Sequence, residues 1–343
     1  MIPNSSLISI CIENNLPNFE YPAFNFGESI ATRKAFGAIL DKFASEIPNL
    51  IGGSADLEPS NYTGNFAETY RDFSKTDQTG RNIPFGVREF PMAAMMNGLA
   101  LHGGLIPFGG TFLVFADYER PALRLGALQN IRVIHEFTHD SFYVGEDGPT
   151  HSGNYDLVYL RCIPNMIVMT PSDENETRKL LTTGFFHNGP ASIRYPRGSG
   201  PNVDVENDLT PIEIGKGRLI TEESKNLIII NFGALLDQAK EVANTLGLTL
   251  IDMRFVKPLD EDILRKYLSE AEAFVSIEDG SVAGGAGSAV QEFCSDNNIN
   301  IKSKLFGIPD VFIEHQSREE MIEESGLTAS KIIKEIEELR LVK

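Results

Sequence analysis

The stretch that determines the fold is Val133–Gly153, VIHEFTHDSFYVGEDGPTHSG. Its apolar beginning predicts a buried strand, which opens into an acidic loop that contains several glycines. The loop carries three side chains that can bind a polar substrate or move protons: His139, Asp147 and His151. In α/β sheets, ligands bind in the loops that follow the carboxyl ends of strands. We therefore expect a small-molecule site at this loop.

Further buried strands are predicted on both sides of this stretch, at 50–53, 85–90, 166–170, 226–233 and 248–255. They alternate with helical patterns, among them a helix capped by Ser172 and a helix that carries Phe112, Phe115 and Tyr118 on one face. This alternation is typical of parallel sheets covered by helices. The predicted fold class is therefore α/β, with two domains that each contain a mainly parallel sheet.

Proline, glycine and polar residues suggest where the domains begin and end. Residues 1–28 lack a sustained period and predict an arm or linker, and residues 29–200 form the first predicted domain. A Gly/Pro/Asn/Asp-rich stretch places an interdomain linker at 201–222. The second domain is then predicted at 223–343.

Composition excludes several classes of protein. The 343 residues carry a formal net charge of -18, which argues against non-specific binding to nucleic acid. The three cysteines match no metal-binding spacing and predict free thiols in a reducing compartment. The sequence contains neither a long apolar run for a membrane span nor a secretory signal pattern. We therefore expect a cytoplasmic protein without nucleic-acid or membrane partners.

Two features allow more than one interpretation. His139, Asp140 and Ser141 are contiguous, whereas a hydrolase triad is assembled from separate elements, so we disfavour hydrolysis. Glu89 precedes an apolar helix and is either a solvated acid at a helix N-terminus or a semi-buried carboxyl group that binds a ligand nitrogen. The residues alone leave both possibilities open for Glu89.

Three other patterns have a structural and a functional interpretation. The GGAGS turn at 284–288 resembles a phosphate-binding turn, but tight turning or helix packing is favoured. Arg194 and Arg197 flank Pro196 and predict a rigid basic spot suited to a phosphate. Aromatic residues three positions apart are most often a core stripe; this applies to Phe112, Phe115 and Tyr118.

Several long blocks, taken in order, resemble transketolase: GGSADLEPSN, GVREF, GGTFLVFADY, THDSFYVGEDGPTH and RYPRG. The resemblance covers nearly the whole chain but only the second half of that enzyme, its pyrimidine-binding and C-terminal domains. From YLRCIPNMIVMTPSDENETRKLL onward, including NFGALL, IDMRFVKPLDE and GGAGS, the chain is more similar to deoxyxylulose-phosphate synthase. The THDS block, which the synthases lack, favours transketolase.

The resemblance assigns roles to individual residues. Glu89 matches the acid that bonds the aminopyrimidine ring of thiamine diphosphate and helps to activate the cofactor. His151 matches a proton shuttle and hydrogen-bond donor at the substrate carbonyl, and Asp147 an acid that contacts the C2 hydroxyl of the donor. Phe115 would stack on the pyrimidine, with Phe112 and Tyr118 lining its pocket. The sugar-phosphate ligands would be Arg33, Ser60, His139 and Arg197.

The resemblance also predicts partners. Transketolases hold Mg2+ and the cofactor diphosphate with a GDG…N segment, and this chain contains none. We therefore expect a catalytically incomplete chain that shares thiamine diphosphate with a separate N-terminal subunit, on which Mg2+ is expected. Met1 and the linker-like residues 1–28 favour a split subunit over a fragment. A homodimer through the pyrimidine domains is also expected.

The complete enzyme would transfer a two-carbon ketol unit from a ketose phosphate to an aldose phosphate. One alternative is a deoxyxylulose-phosphate synthase-like subunit that condenses pyruvate with a triose phosphate. Another is a non-catalytic regulatory subunit that retains the fold, against which the presence of Glu89 argues.

Overall fold

The computed structural model describes residues 32–198, 200–201, 203, 208–339 and 341. The predicted arm at 1–28 lies outside the described residues, as do residues 204–207 of the predicted linker. The described strands are β1 (Leu50–Ser54), β2 (Ile106–Phe112), β3 (Val133–Thr138), β4 (Ile167–Met169), β5 (Pro190–Arg194), β6 (Arg218–Thr221), β7 (Ser224–Phe232), β8 (Leu248–Asp252), β9 (Phe255–Lys257), β10 (Ala273–Ser281) and β11 (Lys302–Ile308).

Helices connect most of these strands. They are α1 (Thr32–Glu46), α2 (Glu58–Asn61), α3 (Gly64–Tyr70), α4 (Glu89–His102), α5 (Ala116–Leu128), α6 (Asp156–Cys162), α7 (Glu174–Phe186), α8 (Leu236–Leu246), α9 (Glu261–Leu268), α10 (Ala286–Asp296), α11 (Arg318–Glu324) and α12 (Ala329–Glu338). Short 3-10 turns lie at Leu113–Phe115 and Gly145–Asp147.

The strands form two sheets, and the predicted α/β class is confirmed. The first sheet has the order β1-β2-β3-β5-β4-β9, and the second has the order β11-β10-β7-β8-β6. Each sheet is parallel except for one antiparallel edge strand, β9 or β6. Because parallel strands end on the same side, β1, β2 and β3 bring Ser54, Phe112 and Thr138 to one edge of the first sheet.

The chain exchanges a strand between the two sheets. Residues 248–255, predicted as one strand, form β8 and then cross to begin β9 in the other sheet. The break falls at Arg254, whose φ of 60° is incompatible with a continuing strand. β9 pairs with β4, with Lys257 opposite Val168. The first sheet is therefore completed by sequence that follows the second sheet's β8.

The hydrophobic core is continuous across the two sheets. One buried cluster contains Leu113 and Phe137 together with Ile228 and Phe274 from the second sheet. The segment between β3 and α6, residues 139–155, is the central loop; its Phe142 and Tyr143 pack in another cluster with side chains of β7 and β10. The central loop is therefore anchored in the core of the second sheet, although it follows a strand of the first.

Several local predictions were wrong. Residues 85–88 form a turn and residues 89–90 begin α4, so the predicted strand is absent; Gly86 adopts a φ of 66° and the Arg88 side chain bonds the Phe85 carbonyl. The helix capped by Ser172 is capped by Asp173, whose carboxylate accepts the backbone N–H of Glu176 at 2.8 Å.

Other differences concern element boundaries. The predicted aromatic helix begins at Ala116, so Phe112 ends β2 and Phe115 ends a 3-10 turn. Within the polar region 61–82, residues Gly64–Tyr70 form α3. The end of the predicted linker forms β6, which pairs with β8.

Candidate functional site

A cavity of about 560 Å³ opens at the carboxyl ends of β1 and β2. Its walls come from the segment after β1, the beginning of α4, the end of β2 and the central loop. The lining residues are Ala55, Asp56, Leu57, Val87, Glu89, Phe112, Phe115, Tyr118 and His151. Five of the residues predicted from the sequence therefore face one space, although they lie on three separate stretches of the chain.

Aromatic rings form one wall of the cavity. The rings of Phe112 and Phe115 are stacked, with centroids 5.7 Å apart and an interplanar angle of 8°. The His151 ring stands edge-on to Phe115, at 5.5 Å between centroids. Tyr118 continues the wall outward and is 65% exposed. The three aromatic residues thus share a surface without sharing a helix face, because β2, the 3-10 turn and α5 present them in succession.

Glu89 faces this wall from the first turn of α4. It is only 9% exposed, so the structure favours the semi-buried carboxyl over the solvated one. In the described part of the chain, no hydrogen bond or ion pair occupies its carboxyl oxygens. The positive end of the helix dipole stabilises an acid at this position.

The central loop holds His139 in an unusual backbone conformation. His139 and Ser141 have φ values of 52° and 62°, in the left-handed region that residues other than glycine seldom occupy. The His139 ring stacks on Phe112 at 3.6 Å, and its Nδ1 lies 3.0 Å from Thr138 Oγ1. A hydrogen bond fixes the loop to β10 of the second sheet, because the Ser141 hydroxyl donates to the backbone carbonyl of Asp279. Non-glycine residues kept in this region by their surroundings cluster at functional sites.

The predicted phosphate ligands lie on separate segments around the loop. Arg197 donates to the Val144 carbonyl at 2.9 Å and to the Glu146 carboxylate at 2.6 Å. Asp147 lies 3.9 Å from the same guanidinium. Ser60 is half-buried in α2. The fourth residue, Arg33, belongs to the first turn of α1, and its side chain is outside the described part of the structure.

Arg194 does not belong to the predicted basic spot. Its guanidinium is buried and forms ion pairs with Asp140, at 2.6 Å, and with Asp279 of β10. Burial lowers the pKa of the guanidinium, but the two aspartates together outweigh this effect and leave the pKa raised. The prediction was wrong because the residue is the last of a buried strand, so its side chain points to the second sheet and not to solvent.

Sequence reasoning also missed a buried carboxyl group behind the loop. Glu136 of β3 is fully buried and accepts hydrogen bonds from the Tyr195 hydroxyl and from Asn61 Nδ2, the latter at 3.0 Å. Burial raises its pKa to about 8, and the two hydrogen bonds offset part of that rise. An acid inside the predicted buried strand VIHEF was the available signal.

Comparisons with known proteins identify the class to which this fold and cavity belong. A family model for the transketolase pyrimidine-binding domain matches residues 28–202, and one for the transketolase C-terminal domain matches residues 215–332. The chain therefore belongs to the transketolase family. Enzymes of this family use thiamine diphosphate.

Among curated proteins, the chain is similar to deoxyxylulose-phosphate synthases. 1-deoxy-D-xylulose-5-phosphate synthase of Pseudomonas fluorescens (strain Pf0-1) is 41% identical over 295 residues, or 85% of this chain and 45% of that protein. The chain thus spans less than half the length of the curated relatives it matches.

Among solved structures, the chain resembles transketolases. Transketolase from Leishmania mexicana superposes with a TM-score of 0.82 and 30% identity, covering 97% of this chain and 49% of that one. A split-gene transketolase, described as an inactive β4 tetramer, superposes with a TM-score of 0.77 and 30% identity. That alignment covers 91% of this chain and 98% of the split-gene chain.

The described residues contain no cluster of three or more His, Cys, Asp or Glu side chains arranged to hold a metal ion. None of the helices in the described ranges is both long and apolar enough to cross a bilayer.

Proposed function

We propose that this chain is the pyrimidine-binding and C-terminal part of a thiamine-diphosphate-dependent transketolase. The complete enzyme transfers a two-carbon ketol unit from a ketose phosphate to an aldose phosphate. The observation that carries this proposal is the convergence of Glu89, Phe112, Phe115 and His151 on one open cavity. It fits the roles that the family resemblance assigns to these residues.

The cavity fits the pyrimidine end of the cofactor. A flat aromatic ring needs an apolar wall and a hydrogen-bonding group at its edge, and the stacked Phe112 and Phe115 rings and the Glu89 carboxyl provide both. When bound, thiamine diphosphate supplies the nucleophilic carbon for ketol transfer. Glu89 holds the pyrimidine nitrogen, and Phe115 stacks on the ring. Tyr118 closes the outer side of the pocket.

The remaining predicted residues act on the sugar. His151 donates to, and moves a proton at, the substrate carbonyl oxygen, and Asp147 accepts a hydrogen bond from the sugar hydroxyl beside that carbonyl. Arg33, Ser60, His139 and Arg197 bind the phosphate. Arg197 is paired with Glu146 in this structure, and an arginine has enough donors to keep that bond while binding a phosphate oxygen.

We also propose that the chain works with partners. The similar split-gene transketolase chain and the absence of a GDG…N segment from these 343 residues support a separate diphosphate-binding subunit that carries Mg2+. A homodimer through the pyrimidine domains is supported by apolar side chains exposed on α4 and α5. These are Phe90, Met95, Leu101, Leu125 and Leu128. Cytoplasmic location stays a prediction from composition.

A second candidate is a deoxyxylulose-phosphate synthase-like reaction, which condenses pyruvate with a triose phosphate. The 41% identity to a protein of that name, over 295 residues that include the central loop, favours it. The THDS block and the superposition on transketolases favour ketol transfer.

One assay separates the two candidates. The chain is purified from its native cell with any subunit that accompanies it, and the complex is supplied with thiamine diphosphate and Mg2+. Xylulose 5-phosphate with ribose 5-phosphate is then compared with pyruvate and glyceraldehyde 3-phosphate. We expect ketol transfer without consumption of pyruvate. Pyruvate-dependent condensation without ketol transfer would overturn the proposal in favour of the second candidate.

A further inference from the structure

The buried Glu136 carboxyl connects three segments that carry predicted phosphate ligands. One oxygen accepts the Tyr195 hydroxyl, and the other accepts Asn61 Nδ2 at 3.0 Å. Asn61 is the neighbour of Ser60 in α2, and Tyr195 lies two residues before Arg197. Glu136 itself lies three residues before His139 on the strand that leads into the central loop.

The network extends to the wall of the cavity. Asn61 Oδ1 accepts the Ser54 hydroxyl at 3.3 Å, and Ser54 Oγ accepts the backbone N–H of Leu57 at 3.0 Å. Leu57 lines the cavity. The carboxyl is therefore linked by hydrogen bonds to the 54–61 segment through Asn61 and to the residue that follows β5 through Tyr195.

The side chains and backbone around residue 136 fit a carboxyl group. A Cβ at Gly110 of β2 would lie 2.4 Å from Glu136 Oε2, so only glycine fits opposite the acid. In the described part of the chain, the carboxyl faces the Tyr195 hydroxyl, the Asn61 amide and the Gly110 backbone, and no cation forms an ion pair with it. An apolar side chain would cost less to bury here. Fold stability alone therefore does not account for this acid.

We propose that Glu136 is a positioning residue for the phosphate end of the substrate. It fixes the segments of Ser60, His139 and Arg197 at the spacing that one tetrahedral anion requires. This inference rests on the proposed function, because that function assigns the three residues to a phosphate. Glu136 itself does not touch the anion and acts through Asn61 and Tyr195.

Sulfate is the probe that tests the proposal, because its charge is constant from pH 6 to 9. Its binding to the full chain is measured by calorimetry, alongside unfolding in urea. Glu136→Ala removes the acceptor for both neighbours, and we expect sulfate affinity to fall about fivefold, the equivalent of one net hydrogen bond. The matched control is Asp260→Ala, which deletes a buried acid that accepts two backbone N–H groups, those of Gly217 and Ile263, away from the central loop. It should lower stability while sulfate affinity stays within about twofold.

A second variant separates positioning from folding. Glu136→Gln has nearly the same shape, accepts from Asn61 and donates to Tyr195, so its sulfate affinity at pH 6.5 should match that of the wild-type chain. Above pH 8 the wild-type chain should lose about threefold in affinity, because ionised Glu136 repels the anion, whereas the glutamine variant should not. His139 is present in both proteins and cancels in the difference.

The outcomes are distinct. A folded Glu136→Ala chain with wild-type sulfate affinity, or a Glu136→Gln chain that keeps the loss above pH 8, would overturn the inference and leave the proposed function standing. If Glu136→Ala does not fold, the pH comparison with Glu136→Gln decides alone. A wild-type chain that binds no sulfate would contradict the phosphate site itself, and this inference with it.

Discussion

The two sheets share an architecture but differ at the carboxyl ends of their strands. In the first sheet, the ends of β1 and β2 open onto a cavity of about 560 Å³ with an acid, Glu89, at its edge. In the second sheet, the corresponding ends of β7 and β10 are filled by the protein's own charged groups. The difference shows that a parallel sheet offers a site only where its strand ends are left open.

The filled end is built from carboxylates of β10. Glu278 accepts the backbone N–H groups of Ala286 and Gly287, both at 2.8 Å, at the start of α10. This helix terminus would otherwise suit a phosphate, but a side chain already occupies it. Asp279 accepts the Ala234 N–H at 3.0 Å and pairs with Arg194. The GGAGS turn therefore serves helix capping and packing, as the sequence favoured.

The charged groups at the end of β10 stabilise the loop beside the cavity of the first sheet. Asp279 and Arg194 join β10 to β5, and Asp140 adds the central loop to the same cluster. Phe142 and Tyr143 extend from that loop into the second core. The second sheet thus holds in place the loop that carries His139 and His151.

The largest expected effect concerns the open site. Glu89→Gln keeps the shape of the side chain but removes the carboxylate that is proposed to bond the pyrimidine. Turnover of the assembled enzyme should fall by about 10² to 10⁴-fold, the range for a lost acid–base group. Steady-state assays check this, with the exposed Glu241→Gln of α8 as the control that retains activity. Equal turnover of the two variants would support a non-catalytic subunit.

The next effect concerns the buried ion pairs of Arg194 with Asp140 and Asp279. Arg194→Met leaves Asp140 and Asp279 buried without their cation, and the free energy of unfolding should fall by about 3–5 kcal/mol. Urea denaturation provides the measurement. The triple variant Arg194→Met, Asp140→Asn, Asp279→Asn removes all three charges and should lose less stability than the single variant. A triple variant less stable than Arg194→Met would contradict the buried-charge explanation.

A third effect is the pH dependence of stability that the buried Glu136 carboxyl causes. Burial raises the pKa of Glu136 from 4.5 to about 8, so between these values the folded carboxyl keeps a proton that the unfolded chain has lost. The unfolded state binds fewer protons, and Glu136 therefore makes the free energy of unfolding fall with rising pH, by about 1.4 kcal/mol per pH unit.

Urea denaturation from pH 5 to 8 measures this slope. Glu136→Gln should remove the contribution of one group, whereas Glu241→Gln should leave the slope unchanged. Identical slopes for wild type and Glu136→Gln would show that the buried carboxyl does not hold its proton. Asp156, whose pKa burial raises to about 8, contributes a slope of the same sign in all three proteins.

The smallest effect is expected at the surface. Lys42 and Glu46 form an i,i+4 pair at 3.3 Å on α1, where both side chains are partly exposed. Lys42→Ala should change the free energy of unfolding by no more than about 0.5 kcal/mol. A loss as large as that of Arg194→Met would mean that burial does not distinguish the two ion pairs.

The alternation of strands and helices was readable from the sequence because hydrophobic periodicity is local. The grouping of Glu89, Phe115 and His151 came from resemblance, not from spacing, since their segments meet only in the folded chain. Arg194 was misplaced because its partners lie 54 and 85 residues away in sequence. The crossing of β9 was equally hidden, because a left-handed residue at Arg254 gives no clear signal. The connections made by Glu136 depend on contacts over 59 and 75 residues.

The most direct test of the central claim is a crystal structure of the chain, with its accompanying subunit, bound to thiamine diphosphate. We predict that the pyrimidine ring lies against Phe115 and that the Glu89 carboxyl is within hydrogen-bonding distance, about 2.7–3.2 Å, of a ring nitrogen. A cofactor bound away from this cavity, or a Glu89 carboxyl that faces solvent in the complex, would contradict the account.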